Sequence, residues 1–246
     1  PFAIGLLNPD GKDLPIKMST SPKGKNLNTN MLEIRNEKEN FVLENIPEKP
    51  VPSLLRGFSA PVKLHFDYSD EDLAFLMAND SDQFNQWEAG QKLMIRVTMN
   101  QIKLLQNNKS INLPSELEYA FKSILNNAID ENSALVALAL NFPSESYLAE
   151  FMDIIDVEAI HKTRNFLRKE IAYKLQEDFE KTYSHLQSED EFKTDSISMG
   201  KRSLKNLCLS YLSELKTLEV RRLAQKQFRE NKNMTDVVGS LTALTH

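Results

Sequence analysis

The chain has 246 residues, of which 41% are hydrophobic and 26% are charged, a composition typical of globular proteins that excludes disorder. Its 30 basic and 35 acidic residues leave a net charge of −5, so we expect no nucleic-acid partner, because dedicated nucleic-acid binders are usually basic. The longest apolar run, residues 134–140, is much shorter than the roughly 18 residues of a membrane span, and we expect none. A single cysteine and no visible signal peptide favour a cytoplasmic protein.

Glycine and proline divide the chain near Tyr68. Eight of the ten prolines and four of the seven glycines lie before residue 69. Because both residues interrupt helices, their loss predicts a change from strands and turns to long helices. We therefore predict a mixed, mostly α fold, with a small antiparallel β-sandwich piece in residues 1–68 and helices over residues 69–246.

Residues 1–68 carry the patterns of short strands. The apolar residues 2–7 end at Asn8-Pro9-Asp10-Gly11, which has the preferred residues of a type I turn, and residues 14–17 are expected to pair back as a hairpin. Two further strands are predicted at residues 31–35 and 40–46. The clearest alternation, at residues 62–68, predicts a strand whose apolar face carries Val62, Leu64, Phe66 and Tyr68.

The rest of the chain is predicted to be helical, with recognisable helix starts. Ser69 precedes three acidic residues and is expected to cap the first helix, and Asp80 or Ser81 the second. Pro114 and Pro143 are expected at first helical positions, which favour proline. The longest helix is predicted over residues 157–186, with later helices near residues 197–213, 216–230 and 234–244.

A stripe of apolar and aromatic residues along the second helix is predicted to be core. Its spacing of three and four places the side chains on one helix face. The stripe contains Phe84, Trp87, Met94, Thr98, Ile102 and Leu105.

The histidines do not form a zinc-protease motif. That motif, His-Glu-x-x-His, places two imidazoles one helical turn apart with a general-base glutamate between them. No histidine here is followed by glutamate, and no two are four residues apart; the four are His65, His161, His185 and His246. Glu158-x-x-His161 has the spacing of half a di-metal carboxylate site, but no second copy exists, which favours a solvated helix face.

Three other candidates for chemistry are also weak. Cys208 shares an apolar stripe with Leu204 and Tyr211, which favours a buried, inert thiol over a nucleophile. No glycine-rich phosphate loop is present. A basic cluster with glutamates beside it is interpreted as a solvated helix face; it contains Arg221, Arg222, Lys226, Arg229 and Lys232. We predict no catalytic, cofactor-binding or metal-binding residue.

Three stretches resemble bacterial-type aminopeptidase N, a zinc metallopeptidase of the gluzincin group. Residues 51–64, Val-Pro-Ser-Leu-Leu-Arg-Gly-Phe-Ser-Ala-Pro-Val-Lys-Leu, carry the most specific resemblance. Residues 151–156 and 226–236 agree in order and spacing. Gly57 and Lys232 depart from the family pattern, which has an acidic residue and an asparagine or similar polar residue there. The resemblance extends from Phe2 to Leu244.

The resemblance implies a place within a larger enzyme. Residues 1–68 would be most of a β-sandwich lacking its first strands, so that residues 2–7 present an unpaired edge, and residues 69–246 the first part of an armadillo- or HEAT-like superhelix. The implied partners are the catalytic domain of the same polypeptide and, in the intact enzyme, peptide substrates. The family's zinc ligands and its Gly-x-Met-Glu-Asn loop are expected before Pro1, so zinc would belong to the intact enzyme and not to this chain.

Two functions follow as hypotheses. The first is a non-catalytic C-terminal segment of a cytoplasmic zinc aminopeptidase, inactive alone, which links to and covers the catalytic domain. The second is a freestanding helical scaffold module that binds a protein partner. A His-Glu-x-x-His motif encoded upstream of Pro1 would distinguish them.

Overall fold

The computed structural model of the protein describes residues 1–18, 31–128, 132–187, 192–231 and 233–245. The chain divides into two compact units, Pro1–Gly90 and Gln91–His246. Short antiparallel strands come first in the chain and helices follow them. This order confirms the predicted mostly α fold class.

The first unit is organised around one central strand. The strands are β1 (Phe2–Leu7), β2 (Lys17–Met18), β3 (Met31–Leu32), β4 (Leu43–Glu44) and β5 (Val51–Leu54). β1 lies between β3 and β5 and is antiparallel to both, and β2 pairs with β4. The expectation that β1 presents an unpaired edge is wrong, because β3 pairs with residues 2–3 and β5 with residues 4–7.

The predicted turn after β1 is confirmed. The N–H of Gly11 donates to the carbonyl of Asn8 at 2.9 Å, and Gly11 has φ 78°, which glycine adopts without steric cost. The Asn8 side chain accepts from the N–H of Lys12 at 2.8 Å. The predicted pairing of residues 14–17 with β1 is confirmed only in part. The N–H of Leu14 donates to the carbonyl of Leu6 at 2.8 Å, whereas Lys17 pairs with Glu44 of β4.

The predicted strand at residues 62–68 is wrong. The segment has no sheet pairing among the described residues, and the N–H of Val62 and of Tyr68 each donates to the carbonyl two residues earlier, at 2.9 and 3.1 Å. Such three-residue turns interrupt a ladder. Alternation indicates an extended backbone, but a strand also requires a partner. Residues 31–35 and 40–46 contain only the short strands β3 and β4, and β5 was not predicted.

Ten helices follow in the described part of the chain. They are α1 (Asp70–Asn79), α2 (Gln83–Gln106), α3 (Ser115–Asn126), α4 (Ser133–Ala139), α5 (Glu145–Ala149), α6 (Val157–Lys174), α7 (Gln176–His185), α8 (Ser196–Ser213), α9 (Leu218–Glu230) and α10 (Met234–Leu244). The last three lie within two residues of their predicted bounds.

The helix starts agree with prediction only in part. Ser69 caps α1, and Asp72 returns the bond in a capping box. For α2 the capping carboxylate belongs to Asp82, which accepts from the N–H of Asn85 at 2.9 Å, and not to Asp80 or Ser81. Pro114 is the N-cap residue of α3, one position earlier than expected.

Two further starts differ from the predicted positions. Pro143 precedes α5, whose cap is Ser144, so this proline is not the first helical residue. The single helix predicted over residues 157–186 is two helices, because the backbone leaves the α conformation at Leu175, with ψ 24°. Ile171, Leu175 and Phe179 are all buried. The apolar spacing therefore continues across the break and gives no sign of it.

The core of the second unit surrounds α8, which packs against α4, α7, α9 and α10. Tyr211 of α8 is buried and stacks on Phe179 of α7, with ring centroids 4.8 Å apart. Arg168 of α6 packs against the same tyrosine, with its Cζ 4.6 Å from the Tyr211 ring centroid. Its guanidinium pairs with Glu214 at 2.7 Å, so the charge is neutralised where it is buried.

The apolar stripe predicted along α2 is core over only part of its length. Met94, Thr98 and Ile102 are buried, as expected. Phe84 and Trp87 are 38% and 37% exposed, so the prediction is wrong for these two residues. Their rings contact one another instead, with centroids 5.8 Å apart. Helical spacing places side chains on one face, but only packing decides how much of that face is covered.

Candidate functional site

Arg56, in the first of the three resembling stretches, joins distant parts of the first unit. Its Nη2 lies 2.7 Å from Asp13 Oδ1 and 3.0 Å from Asp80 Oδ1, and its Nε donates to Ser53 Oγ at 2.8 Å. Asp13 follows the hairpin turn, Ser53 lies in β5 and Asp80 ends α1. The guanidinium therefore ties the sheet to the first helix, which is a structural role.

The two carboxylates beside Arg56 respond to burial in opposite ways. At Asp13 burial opposes ionisation, but hydrogen bonds from Arg56 and Ser81 outweigh it and the pKa of Asp13 is lowered. The Asp80 side chain is fully buried, and desolvation raises the pKa of its carboxyl. Arg56 forms ion pairs with both carboxylates, so this charged cluster holds the elements of the first unit together.

The same stretch is fixed to the start of α2 by two further side chains. Asn85 donates to Ser53 Oγ at 2.8 Å and to the carbonyl of Leu54 at 2.9 Å. The N–H of Gly57 donates to Asp82 Oδ2 at 2.7 Å. Gly57 has φ 62° and no atom lies within 4 Å of where its Cβ would be. The acidic residue of the family pattern would meet no steric obstacle here, but it would have the strain of a left-handed backbone, which glycine avoids.

The stretch at residues 226–236 builds a buried polar network between α8, α9 and α10. Gln227 donates to Asn206 Oδ1 at 2.7 Å and to the carbonyl of Asp236 at 2.9 Å, and it accepts from Tyr183 at 2.7 Å. Asp236 pairs with Lys205 at 2.7 Å, and both side chains are at most 5% exposed. The network satisfies these polar groups and holds α8, α9 and α10 to one another and to α7, which carries Tyr183. Lys232 lies outside the described residues.

The stretch at residues 151–156 has a different character, because most of its apolar side chains face solvent. Ile154 is 86% exposed, and Phe151 and Ile155 are also exposed. The last residue of the stretch, Asp156, has a structural role: its carboxylate caps α6 by accepting from the N–H of Ala159 at 3.0 Å. The stretch therefore ends in a helix cap and displays apolar groups before it.

The structure does not bring Glu158 and His161 together. Glu158 pairs with Lys162, whose Nζ lies 2.6 Å from Glu158 Oε1, while His161 Nδ1 lies 2.8 Å from Glu145. All these side chains are substantially exposed, as expected for a solvated helix face. His65 and His185 are exposed elsewhere, and His246 lies outside the described residues. Within the described ranges, no group of three His, Cys, Asp or Glu side chains is placed to hold a metal ion.

The remaining candidates lie where their patterns indicated. Cys208 is free and fully buried in α8, and desolvation raises the pKa of its thiol, which confirms the buried thiol. The described members of the basic cluster are exposed along α9, and Lys226 lies 3.9 Å from Glu230. This exposure agrees with a solvated helix face. No described helix is long and apolar enough to cross a membrane.

Sequence reasoning missed the residues that organise the fold through buried charge. Arg56 stood in the most specific stretch without an assigned role. The burial of Lys205 could have been predicted from the sequence, since this lysine lies one turn before Leu209 and two turns before Leu212 on an apolar stripe. A lysine in such a position indicates a buried carboxylate partner. Nothing local identifies that partner as Asp236.

Two family models match nearly the whole chain. A domain of unknown function, DUF3458, described as having an Ig-like fold, matches residues 1–67. A second domain of unknown function, DUF3458_C, described as ARM repeats, matches residues 70–246. Both descriptions agree with the architecture above.

Individual relatives are bacterial aminopeptidases. The chain is 35% identical to aminopeptidase N of Escherichia coli K12 over 245 residues, which cover 99% of this chain and 27% of that protein. It is 33% identical to aminopeptidase N of Caulobacter vibrioides, covering 97% and 26%. The crystal structure of Legionella pneumophila aminopeptidase A in complex with aspartic acid has TM-score 0.75 and 29% identity, covering 98% of this chain and 27% of that one. The chain thus spans about a quarter of these relatives.

Proposed function

The chain belongs to the DUF3458 family, whose Ig-like and ARM-repeat domains together match nearly all of it, and we propose that it is the non-catalytic segment of an aminopeptidase. The intact enzyme would remove N-terminal residues from peptides. One observation carries the proposal: 99% of the chain aligns with about a quarter of the E. coli aminopeptidase N at 35% identity. An alignment of this length and order is expected of a corresponding segment.

The segment's role would be to link to the catalytic domain of the same polypeptide and cover it. We propose a division at residues 68 and 69, between a β-sandwich piece and the first part of an armadillo- or HEAT-like superhelix. Support for this division comes from the two family models, which match residues 1–67 and 70–246. Support for the scaffold role comes from the charge networks described above. Arg56 and Lys205 each form ion pairs with carboxylates on other elements and so hold those elements together. A scaffold of this kind positions a neighbouring domain without taking part in the chemistry.

Zinc would be the cofactor of the intact enzyme, where it would polarise the scissile carbonyl and activate water. The described residues do not fit such an ion, because no three metal-ligating side chains converge among them. We therefore assign the zinc ligands to another part of the polypeptide and no catalytic step to this chain. A cytoplasmic location is part of the same proposal and is supported by the single, buried thiol.

Sequencing the complete reading frame that encodes this chain tests the proposal. The frame should encode His-Glu-x-x-His upstream of Pro1, followed by a glutamate about one helix later. The purified polypeptide should hydrolyse an aminoacyl-anilide and lose that activity to a chelator, while the 246-residue chain alone should have none. A variant with glutamine in place of the motif's glutamate is the matched control. A reading frame without the motif would overturn the proposal in favour of a freestanding scaffold that binds a protein partner.

A further inference from the structure

A cleft opens on the second unit between α6 and the end of α8, and we call it the α6–α8 cleft. It has a volume of about 360 Å³ and is lined by Asn165, Phe166 and Lys169 of α6 and by Glu214 and Lys216, which follow α8. Ligand pockets in proteins begin at roughly 300 Å³. The size of the cleft therefore suits a small molecule and not a macromolecule.

Positive charge is in excess around this cleft, although the chain as a whole is acidic. Glu214 is the carboxylate among the lining residues, and Arg168 already pairs with it at 2.7 Å. Lys169 and Lys216 are both exposed, and neither forms an ion pair within the part of the chain that the structure describes. Three cationic side chains therefore surround one carboxylate, which favours an anionic ligand.

Arg164, one turn before Arg168 on α6, adds to the excess of positive charge. Its Nε donates to a backbone carbonyl at 2.8 Å, which holds the guanidinium without neutralising it. Desolvation and the positive charge of Arg168 lower the pKa of Arg164. Glu214 can neutralise only one of these two guanidinium charges, and the other nearby acid, Glu145, contacts His161. An anion bound close by would relieve the repulsion between the two arginines.

Lys216 borders the cleft in a costly backbone conformation. Its φ is 55°, in the left-handed region where a Cβ is crowded and glycine is favoured. The turn after α8 contains this conformation, and the N–H of Lys216 donates to the carbonyl of Ser213 at 3.1 Å. Backbone strain of this kind is concentrated at functional sites. What a lysine provides here and a glycine would not is an ammonium group beside the cleft.

We propose that the α6–α8 cleft binds a small phosphorylated molecule with an aromatic or apolar body. Lysine ammonium groups bind phosphate as point charges, and a pair of them favours a dianion over a singly charged carboxylate. The ring of Phe166 provides an apolar wall for the rest of the ligand. Such binding does not depend on the proposed aminopeptidase function.

Titration of the 246-residue chain with phenyl phosphate, followed by NMR of the backbone amides, tests the proposal. The solution is kept near pH 8, where a phosphate ester carries about two negative charges. We expect a Kd of about 1 mM or lower, with the shifted amides in residues 165–169 and 214–216. Inorganic phosphate lacks the ring and benzoate lacks the second charge, so each should bind about fivefold or more weakly.

Variants of the lining residues separate binding from structure. Lys169→Gln and Lys216→Gln should each weaken the binding of phenyl phosphate about fivefold. Lys181→Gln, which removes an exposed lysine of α7 outside the cleft, is the matched control and should leave the affinity unchanged. Lys216→Gly should weaken binding as Lys216→Gln does and yet unfold at no lower urea concentration than the unaltered chain, because glycine adopts the left-handed backbone without steric cost.

Phe166→Leu tests the apolar wall, and it should reduce the preference for phenyl phosphate over inorganic phosphate. An unchanged preference would overturn the role of the ring. Absence of amide shifts around the cleft would overturn the proposal, as would an equal loss of affinity in Lys181→Gln, which would indicate an effect of net charge alone. Tighter binding of benzoate than of phenyl phosphate would overturn it in favour of a carboxylate ligand.

Discussion

The guanidinium of Arg56 lies directly against the backbone of Gly5, so that a Cβ on residue 5 would be 2.0 Å from Arg56 Cζ. Gly5 is in the middle of β1, opposite Ser53 of β5. The missing side chain is what allows Arg56 to cross the sheet and reach Asp13 and Asp80. Glycine is required here for space and not for a left-handed backbone.

We expect Gly5→Ala to destabilise the chain by about 1–3 kcal/mol, because the new methyl group displaces a guanidinium held by two carboxylates. Urea unfolding measures the change. In an Arg56→Ala background the same substitution should cost much less, since nothing then occupies the space. Equal costs in both backgrounds would show that the two residues do not compete.

Lys205→Met should destabilise the chain by about 3 kcal/mol, because it leaves the buried carboxylate of Asp236 without its cation. The matched control is Lys162→Met, which removes an exposed pair with Glu158 and should cost no more than about 0.5 kcal/mol. Both free energies come from urea unfolding at neutral pH. A similar cost for the two variants would contradict the importance assigned to burial.

On acidification, Asp13 and Asp80 should change the stability of the folded chain in opposite directions. Asp13 has a lowered pKa in the folded chain, so its contribution to stability is present above its ordinary value of 3.8 and is lost as pH falls through the folded pKa. Asp13→Asn should therefore reduce the loss of stability on acidification. The measurement is the free energy of unfolding between neutral and strongly acidic pH.

Asp80 has a raised pKa, so the folded chain takes up its proton before the unfolded chain does and gains stability as pH falls toward 3.8. Asp80→Asn removes this gain, and stability should then fall more steeply with acid than in the unaltered chain. Parallel pH profiles for the Asp13 and Asp80 variants would contradict the opposite signs.

Cys208 should react with a maleimide about a hundredfold or more slowly in the folded chain than in denaturant. The reason is that the reagent reaches the buried thiol only when α8 opens. Mass spectrometry of quenched samples gives both rates. Ile154→Cys provides a fast-reacting reference thiol in the same fold. A Cys208 rate that does not change on unfolding would place the thiol at the surface.

A fragment of residues 1–68 should fold poorly, whereas residues 1–90 should unfold cooperatively in urea. The shorter fragment lacks Asp80, Asp82 and Asn85, which hold residues 53–57 in place. In the full chain, hydrogen exchange should be slower in β1, which pairs with two strands, than in residues 62–68. Equal exchange in these two segments would mean that the pairing of β1 is not stable.

Features that depend on adjacent residues were predictable from the sequence. The turn at Asn8–Gly11 and the cap at Ser69 are formed by side chains and backbone groups within four residues of one another, so the residues themselves carry the information. The burial of Cys208 followed from helical spacing alone. The family resemblance was likewise carried by continuous stretches such as residues 51–64.

Features that depend on distant partners were decided only by the tertiary structure. Residues 62–68 alternate as a strand should but pair with no strand in the part of the chain that the structure describes, and Phe84 and Trp87 lie on an apolar stripe that is incompletely covered. The partners of Arg56 lie 43 and 24 residues away, and Asp236 lies 31 residues from Lys205. Local sequence sets backbone preference and which side chains share a face, whereas pairing, burial and charge neutralisation require the folded chain to bring distant residues together.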